Sequence, residues 1–508
     1  VLVRNSTAPE VLIVERSRSL RFFGGFLAFP GGKIHPHDAQ VPFRRDSIPT
    51  QLADLVGTAC RELFEETGVL LARDPDGQFP TLSLKLEQAR RDVTTGRVLF
   101  GQVLRDNGLS ISMSDFIAVG NLVTPPFAPI RFDTRFFLAW LPPGQAADVW
   151  KGELEFGVWE RPSAILSRWH QGDCLISPPS IWILNAMADR PQVQLADSLT
   201  VALARAKNEP ASPIYFSPQV ELIPLRTRAL PPSSHTNAFL IGRDPAYLLD
   251  PGPDETEEQE RLLNLLEARR SSGLRLKAVL LSHHHVDHVG AAARCADRFS
   301  IPVWAHRYTA EKLAGQLPIT REIVNGDQLP LGQRSDDQGP WALQVVQTPG
   351  HTPGHLVFYE PSYQLLFAGD MVSTVSSVII APPEGDLAIY LESLRLLRSY
   401  ACRLLMPAHG IVSSRPTHTI DEWLSHRAKR EEMLLESLSV PRTVAELAIQ
   451  VYRGLPEPLM KLAELQVLAG LQKLAKEGRV QQAGEPDARL WESVSARRSP
   501  NEFDTRDA

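Results

Sequence analysis

The stretch Ser282–His288, Ser-His-His-His-Val-Asp-His, constrains this chain more than any other, because it sets three imidazoles and a carboxylate at metal-ligand spacing within a few residues. The preceding Lys277–Ser282 is short, apolar and β-branched, which predicts a buried strand delivering the histidines at its C-terminal end. His283 and His285, two apart in extended chain, project to the same side. Asp287 and His288, in the turn that follows, then face a second ion, and the helix-like Val289–Phe299 carries the chain away. Neutral imidazole and carboxylate at this density suit zinc, and open positions on the metals would hold a water.

Further candidate ligands each follow a strand-like segment. His351 and His355 lie in Thr348–His355 (Thr-Pro-Gly-His-Thr-Pro-Gly-His), Asp370 ends Leu365–Asp370, and His409 follows Leu404–Ala408. With these motifs in order, residues 215–430 resemble the metallo-β-lactamase-fold hydrolases. The resemblance implies an αββα sandwich holding two Zn²⁺. It gives His283, His285 and His351 to one zinc, Asp287, His288 and His409 to the other, and Asp370 and a hydroxide as bridges. In this pattern His284 is a partly exposed spacer. His355 has two readings, a histidine beside the substrate or a turn histidine bonded to backbone. Asp250, in Tyr247–Gly252, is expected to orient a ligand histidine, the alternative being an ordinary turn cap.

A second acidic motif lies nearer the N-terminus. Gly31–Asp38 (Gly-Gly-Lys-Ile-His-Pro-His-Asp) is followed by Ala59–Val69, in which Glu62, Glu65 and Glu66 stand at i, i+3 and i+4. A helix puts these carboxylates on one face, with Gly68 as a natural C-cap. Like charges so placed repel unless cations fill the gap, as Mg²⁺ or Mn²⁺ would while gripping a diphosphate. The two pieces resemble a Nudix box, which implies Glu65 and Glu66 as metal ligands, Glu62 as ligand or base, Arg61 as an orienting residue, and an α/β/α sandwich. Two departures stand out: Asp38 replaces the usual Glu, and a loop lengthens the spacer to the twenty-two residues Ala39–Cys60. Whether Asp38 binds metal or pairs with Arg61 is open. Similar insertions occur in Nudix proteins resembling coenzyme A diphosphatases, whose boxes also end like Gly68–Leu71.

At 508 residues, 43% hydrophobic and 22% charged, the chain is expected to form about three units. These are a Nudix domain (1–207), a metallo-hydrolase domain (214–430) and a winged-helix-like domain (431–492), with a disordered tail (493–508). Residues 208–213 read as a linker. Val1–Val3 and Val11–Val14 read as paired strands, residues 118–141 as a hairpin and 163–206 as largely helical. Toward the C-terminus, Thr443–Glu446 is a capping box, a second helix spans about 463–477, and Arg479–Gln482 and Ala488–Glu492 flank the turn 484–487.

No run of eighteen apolar residues exists, so no membrane span is expected. Four scattered cysteines favour a reducing, cytoplasmic setting, while the absence of an initiator Met leaves an upstream leader open. Between Glu431 and Glu492 seven Lys/Arg face ten Asp/Glu, a balance that argues against nucleic acid and for a structural cap or homodimer surface. The arrangement resembles the β-lactamase-like protein 2 branch. Arg427 and Arg430, before the winged helix, read either as holding a substrate's phosphate or carboxylate or as a solvated helical face.

The expected function is hydrolysis of small molecules: a thioester, ester or related acyl compound at the zinc site, and a nucleoside diphosphate or coenzyme A type of diphosphate at the Nudix site. The alternatives are RNA or phosphodiester cleavage by the zinc domain, or a non-catalytic, ligand-binding Nudix domain.

Overall fold

A computed structural model describes residues 1–494 except 6, 45–51, 126, 127, 129, 209–212, 337, 338 and 484–489. Part of the loop before the acidic helix, most of the expected linker, the turn 484–487 and residues 495–508 of the expected tail therefore lie outside the described residues, while Ser493, expected in that tail, ends a strand. The chain divides into two compact units, Val1–Leu222 with Arg334–Gln338, and Ile223–Gln333 with Gly339–Ala508.

In the first unit, strands β1 (Leu2–Arg4), β2 (Glu10–Arg16), β3 (Phe26–Ala28), β4 (Ile117–Val123), β5 (Asp133–Trp140), β6 (Leu154–Glu160) and β7 (Leu175–Ile176) form a mixed sheet. Its order is β4-β5-β1-β2-β3-β7, with β6 also paired to β2. The expected first pair is antiparallel with Val3 opposite Val11, and β4 and β5 form the expected hairpin. The pleat sorts alternate residues to opposite faces. Leu2 and Leu12 join Val56, Cys60 and Phe64 of the helix Ala53–Thr67 in one core. Val3, Val11 and Ile13 join Ile165, Trp169, Leu184 and Leu199 in another, on the helices Pro162–Gln171, Pro178–Met187 and Leu195–Asn208. The result is a sheet between two helical layers.

The second unit is built on two sheets. Strand β8 (Ile214–Ser217) precedes the division at Leu222; β9 (Val220–Arg226), β10 (His235–Gly242), β11 (Ala246–Leu249), β12 (Leu276–Leu280), β13 (Val303–Ala305) and β14 (Arg321–Glu322) are hydrogen-bonded in consecutive order. So are β15 (Gln328–Gln333), β16 (Pro340–Gln347), β17 (Leu356–Glu360), β18 (Leu365–Ser373) and β19 (Leu404–His409). The sheets meet through residues such as Phe239 of β10 and Phe367 of β18, whose rings are 5.1 Å apart edge to face. The helix Leu387–Arg398 covers the second sheet with Tyr390, Leu391 and Leu394. This is the expected αββα layering.

The expected boundary at residue 431 falls inside a continuous helix, Pro416–Ser437. No glycine or proline interrupts it after Pro416, and both of its halves are needed for packing. Ile420 joins the core of the sandwich and Leu434 that of the C-terminal helices. Beyond it, the helices Val444–Val451 and Met460–Lys476 precede the hairpin β20 (Val480–Ala483) and β21 (Leu490–Ser493), the winged-helix arrangement. Thr443 and Glu446 form the expected capping box. Among the described residues no helix is long and apolar enough to cross a membrane.

Candidate functional site

Buried strands bring the candidate ligands of the second unit together. Strand β12 ends just before Ser282, and His283 and His285 leave it on the same side, with His283 Nε2 2.9 Å from His285 Nδ1. The turn before β17 supplies His351, whose Nε2 is 3.1 Å from the same His285 nitrogen. Ligands about 2.0–2.1 Å from a tetrahedral zinc lie roughly 3.3 Å apart, so nitrogens this close are spaced to share a cation. With Asp370 of β18 these residues form one group whose donor atoms lie within 4.8 Å of one another; Asp287, His288 and His409 form another.

Asp370 stands between the groups. Its Oδ2 is 3.6 Å from His351 Nε2, and its Oδ1 is 3.5 Å from His288 Nε2 and 3.2 Å from His409 Nε2. Asp287 Oδ2 is 3.5 Å from His409 Nε2. Two buried atoms at this centre, His288 Nε2 and Asp370 Oδ1, have no well-aligned hydrogen-bond partner. Burying such atoms unsatisfied is costly, and a cation between them removes the cost. The donor set therefore fits a pair of divalent ions.

The other ring nitrogens are tied back to the protein. His288 Nδ1 is 3.0 Å from Asp250 Oδ2, His351 Nδ1 is 2.8 Å from Ile379 O, and His409 Nδ1 is 3.0 Å from His235 O. These bonds hold each Nδ1–H outward and aim Nε2 at the centre. Asp250 also accepts from Ser282 N–H and from Ser282 Oγ–H, so it braces the histidine turn as well as His288. Burial holds His283 well below the usual imidazole range and His351 at about 4, leaving both neutral, as ligands must be.

The neighbouring candidates are engaged within the protein itself. Of the two readings of His355, the geometry fits the one bonded to backbone: it is fully buried, accepts from the Asp370 backbone N–H at 3.1 Å and bonds Thr348 Oγ1 through Nδ1. Arg427 and Arg430 are likewise held by protein groups. Arg427 is only 5% exposed; it donates to Val378 O and Gln466 Oε1 and packs on Tyr390 and Trp423. Arg430 donates to Val451 O and lies over Tyr452. His284, expected as a spacer, pairs through Nε2 with Glu384 Oε1 at 3.2 Å, and with His285 these residues form a third group of donors. Sequence reasoning missed Glu384, which comes from a proline-rich loop with no spacing relation to the histidines.

Gly350 shows how tightly the His351 turn is built. Its φ is +127°, and a Cβ there would lie 2.3 Å from Tyr390 backbone atoms. Overpacking of about 1–3 kcal/mol and backbone strain of similar size make Gly350→Ala expected to destabilise this unit by about 3 kcal/mol or more. A thermal melt of the intact chain, following the transition of this unit, checks it.

In the first unit the helix Ala53–Thr67 carries Arg61, Glu62, Glu65 and Glu66 and ends at Gly68, whose φ of 73° is left-handed as a C-cap requires. Asp38, whose role the sequence left open, is buried against Arg61: Oδ1 takes Nε at 2.7 Å and Oδ2 takes Nη2 at 3.0 Å. Burial alone would raise the Asp38 carboxyl, but Arg61, His35 N–H and Thr58 hold it below the usual range. Arg61 also lies 2.9 Å from Glu62 and 3.3 Å from Glu65. Glu66 accepts from Gly31 N–H at 2.9 Å, and burial, reinforced by Glu62, pushes it up to about 8. The acidic face and the glycine turn are thus adjacent, while the Glu62, Glu65 and Glu66 oxygens do not converge as closely as the histidine groups.

Residues 232–409 match the metallo-beta-lactamase superfamily and residues 443–491 the beta-lactamase associated winged helix domain. Curated relatives include the lactamase-like protein nscB of Trichophyton rubrum, 28% identical over 280 residues, 52% of this chain and 81% of that protein. The lactamase-like protein adaB of Aspergillus niger is 28% identical over 275 residues, 51% of this chain and 81% of its own. Among solved structures, a beta-lactamase domain protein from Burkholderia ambifaria is 22% identical with TM-score 0.49, covering 56% of this chain and 94% of its own. A NUDIX hydrolase from Alicyclobacillus acidocaldarius is 30% identical with TM-score 0.35, covering 39% and 92%. The second unit thus combines a metallo-β-lactamase fold, the fold of a hydrolase with candidate metal ligands, with a winged helix.

Proposed function

We propose that this chain is a two-site metal-dependent hydrolase. Its central domain would use two zinc ions to cleave a thioester, ester or related acyl compound, and its N-terminal domain would be a Nudix hydrolase cleaving a diphosphate linkage with Mg²⁺ or Mn²⁺. The observation that carries the first part is the convergence of His283, His285, His351, Asp287, His288, His409 and Asp370, with His288 Nε2 and Asp370 Oδ1 buried without a well-aligned hydrogen bond. Bound there, the ions would supply a water activated at neutral pH and polarise the carbonyl oxygen.

The protein's own part is positioning. Asp250, Ile379 O and His235 O fix the histidine tautomers, and His355 holds the Asp370 backbone from behind. The Asp287 carboxylate, facing the same centre, would both serve as a ligand and accept a hydrogen bond from the attacking water. The acidic winged helix weighs against RNA as substrate. Four free cysteines, three of them buried, fit a reducing compartment.

In the Nudix site, Asp38 would act through Arg61 rather than on metal, since Arg61, Thr58 and His35 N–H occupy its oxygens. Glu62, Glu65 and Glu66 would take the cation, with Glu62 as ligand or base. A non-catalytic, ligand-binding N-terminal domain is the second reading, favoured by Arg61 sitting against both Glu62 and Glu65. Hydrolysis assays on thioesters, nucleoside diphosphate derivatives, coenzyme A and RNA, with wild type and a variant of each site, test the proposal. Acyl-compound and diphosphate turnover lost in separate variants supports it; RNA cleavage alone sinks it.

The raised Glu66 carboxyl adds a pH dependence. Below about 8 it holds a proton that a cation must displace, so Mg²⁺ affinity should rise with pH up to about 8 and then level. Titration calorimetry of Mg²⁺ in buffers of different ionisation enthalpy should detect proton release at pH 7 and little at pH 9. Equal release at both would contradict it.

A further inference from the structure

We infer that the winged-helix domain is a clamp on the metal centre, in which Gln466 and Lys476 position His351 through the loop between β18 and the helix Leu387–Arg398. This rests on the reading of the central site as a zinc centre. His351 Nδ1 is held by the carbonyl of Ile379 in that loop. The neighbouring Val378 carbonyl accepts from Arg427 Nη2 at 2.6 Å and from Gln466 Nε2 at 3.4 Å, while Arg427 Nη1 donates to Gln466 Oε1 at 2.7 Å. Gln466 belongs to the helix Met460–Lys476, so a winged-helix side chain grips the carbonyl one residue before the carbonyl that holds a metal-ligand candidate.

The grip is buried and specific. Arg427 and Gln466 are 5% and 8% exposed. Among the described residues the guanidinium hydrogen-bonds no carboxylate; a carbonyl, an amide and the rings of Tyr390 and Trp423 hold it. Tyr390 Oη in turn donates to Met371 O, next to Asp370, and Trp423 Nε1 donates to Ser373 O on the same strand.

A second tie runs through Lys476, at the end of the same helix. Its Nζ is 2.6 Å from Asp386 Oδ2. Asp386 caps the helix Leu387–Arg398 with Oδ1 and donates its backbone N–H to Gly350 O, one residue before His351. Two winged-helix side chains thus reach His351 from its ring and from its backbone. Neither touches a metal or a substrate, so both are positioning residues. Loss of partners that orient a ligand costs roughly 10- to 100-fold in metal affinity.

The test is zinc affinity of the full chain, measured by competition with a chromophoric chelator. Wild type should hold two ions. Gln466→Leu should weaken the ion bound by His283, His285 and His351 by about 10- to 100-fold and leave the other near wild type. Gln466→Glu, which keeps an acceptor for Arg427 but loses the donor to Val378 O, should recover only part of the affinity. Lys476→Met, at a largely exposed side chain that does not threaten folding, should weaken the same ion by a smaller factor, and it decides the matter if Gln466→Leu does not fold. Two ions held by the folded variants as tightly as by wild type would overturn the clamp while leaving the zinc centre standing. No zinc in wild type would overturn both.

Discussion

Replacing His285 by alanine is expected to strip or weaken the first of the two proposed zinc ions and to stop the hydrolysis proposed for the central domain. His285 Nδ1 is the nitrogen on which the group is centred, 2.9 Å from His283 Nε2 and 3.1 Å from His351 Nε2. An alanine leaves His283, His351 and Asp370 with an incomplete shell for a tetrahedral ion. The loss should exceed the roughly 10- to 100-fold that follows when only an outer partner of a ligand is removed. Folding should survive, because the side chain is part-exposed and the buried braces at Asp250, Ser282 and His288 do not depend on it. Elemental analysis of the purified variant should show less zinc than wild type. Unchanged zinc would remove His285 from the ligand set.

Much of this centre was legible because its chemistry is written in local spacing. Alternate residues on an extended chain share a side, so His283 and His285 could be paired without a structure, and the apolar runs before His283, Asp370 and His409 identified the strands that carry them. The acidic helix was legible for the same reason, since i, i+3 and i+4 define one face. What could not be read depends on contacts distant along the chain. Arg427 lies in a charged run, His426–Glu431, that looks like a solvated face, yet the helix Met460–Lys476 packs over it and buries it. Glu384 meets His284 across a hundred residues. His355 shares a repeated Thr-Pro-Gly-His unit with His351, but the turn directs one histidine to the centre and the other behind Asp370. Asp38 could be assigned to Arg61 only once the fold had set them 2.7 Å apart.

The substitution Glu65→Gln is expected to abolish diphosphate cleavage and leave acyl hydrolysis intact. Glutamine keeps the size and one carbonyl oxygen of the side chain, so it can still accept from Arg61 Nη1, now 3.3 Å from Glu65 Oε1, and the helix should stand. What it loses is the negative charge that a divalent cation requires on this face. Stabilisation by a bound cation is worth several kcal/mol, so with about 1.4 kcal/mol per decade the rate should fall on the order of 10³-fold. The proposed zinc centre belongs to the other compact unit and has its own candidate ligands, so its turnover should not follow. A short acyl-coenzyme A offers both bonds in one molecule, a thioester for one site and a diphosphate for the other. Mass spectrometry should find free coenzyme A and 3′,5′-adenosine diphosphate with wild type, only the first with Glu65→Gln and only the second with His285→Ala. Intact acyl-coenzyme A after exhaustive incubation with Zn²⁺ and Mg²⁺ would refute the shared substrate. Failure of wild type to cleave any diphosphate across a broad panel would turn the N-terminal domain into a ligand-binding one.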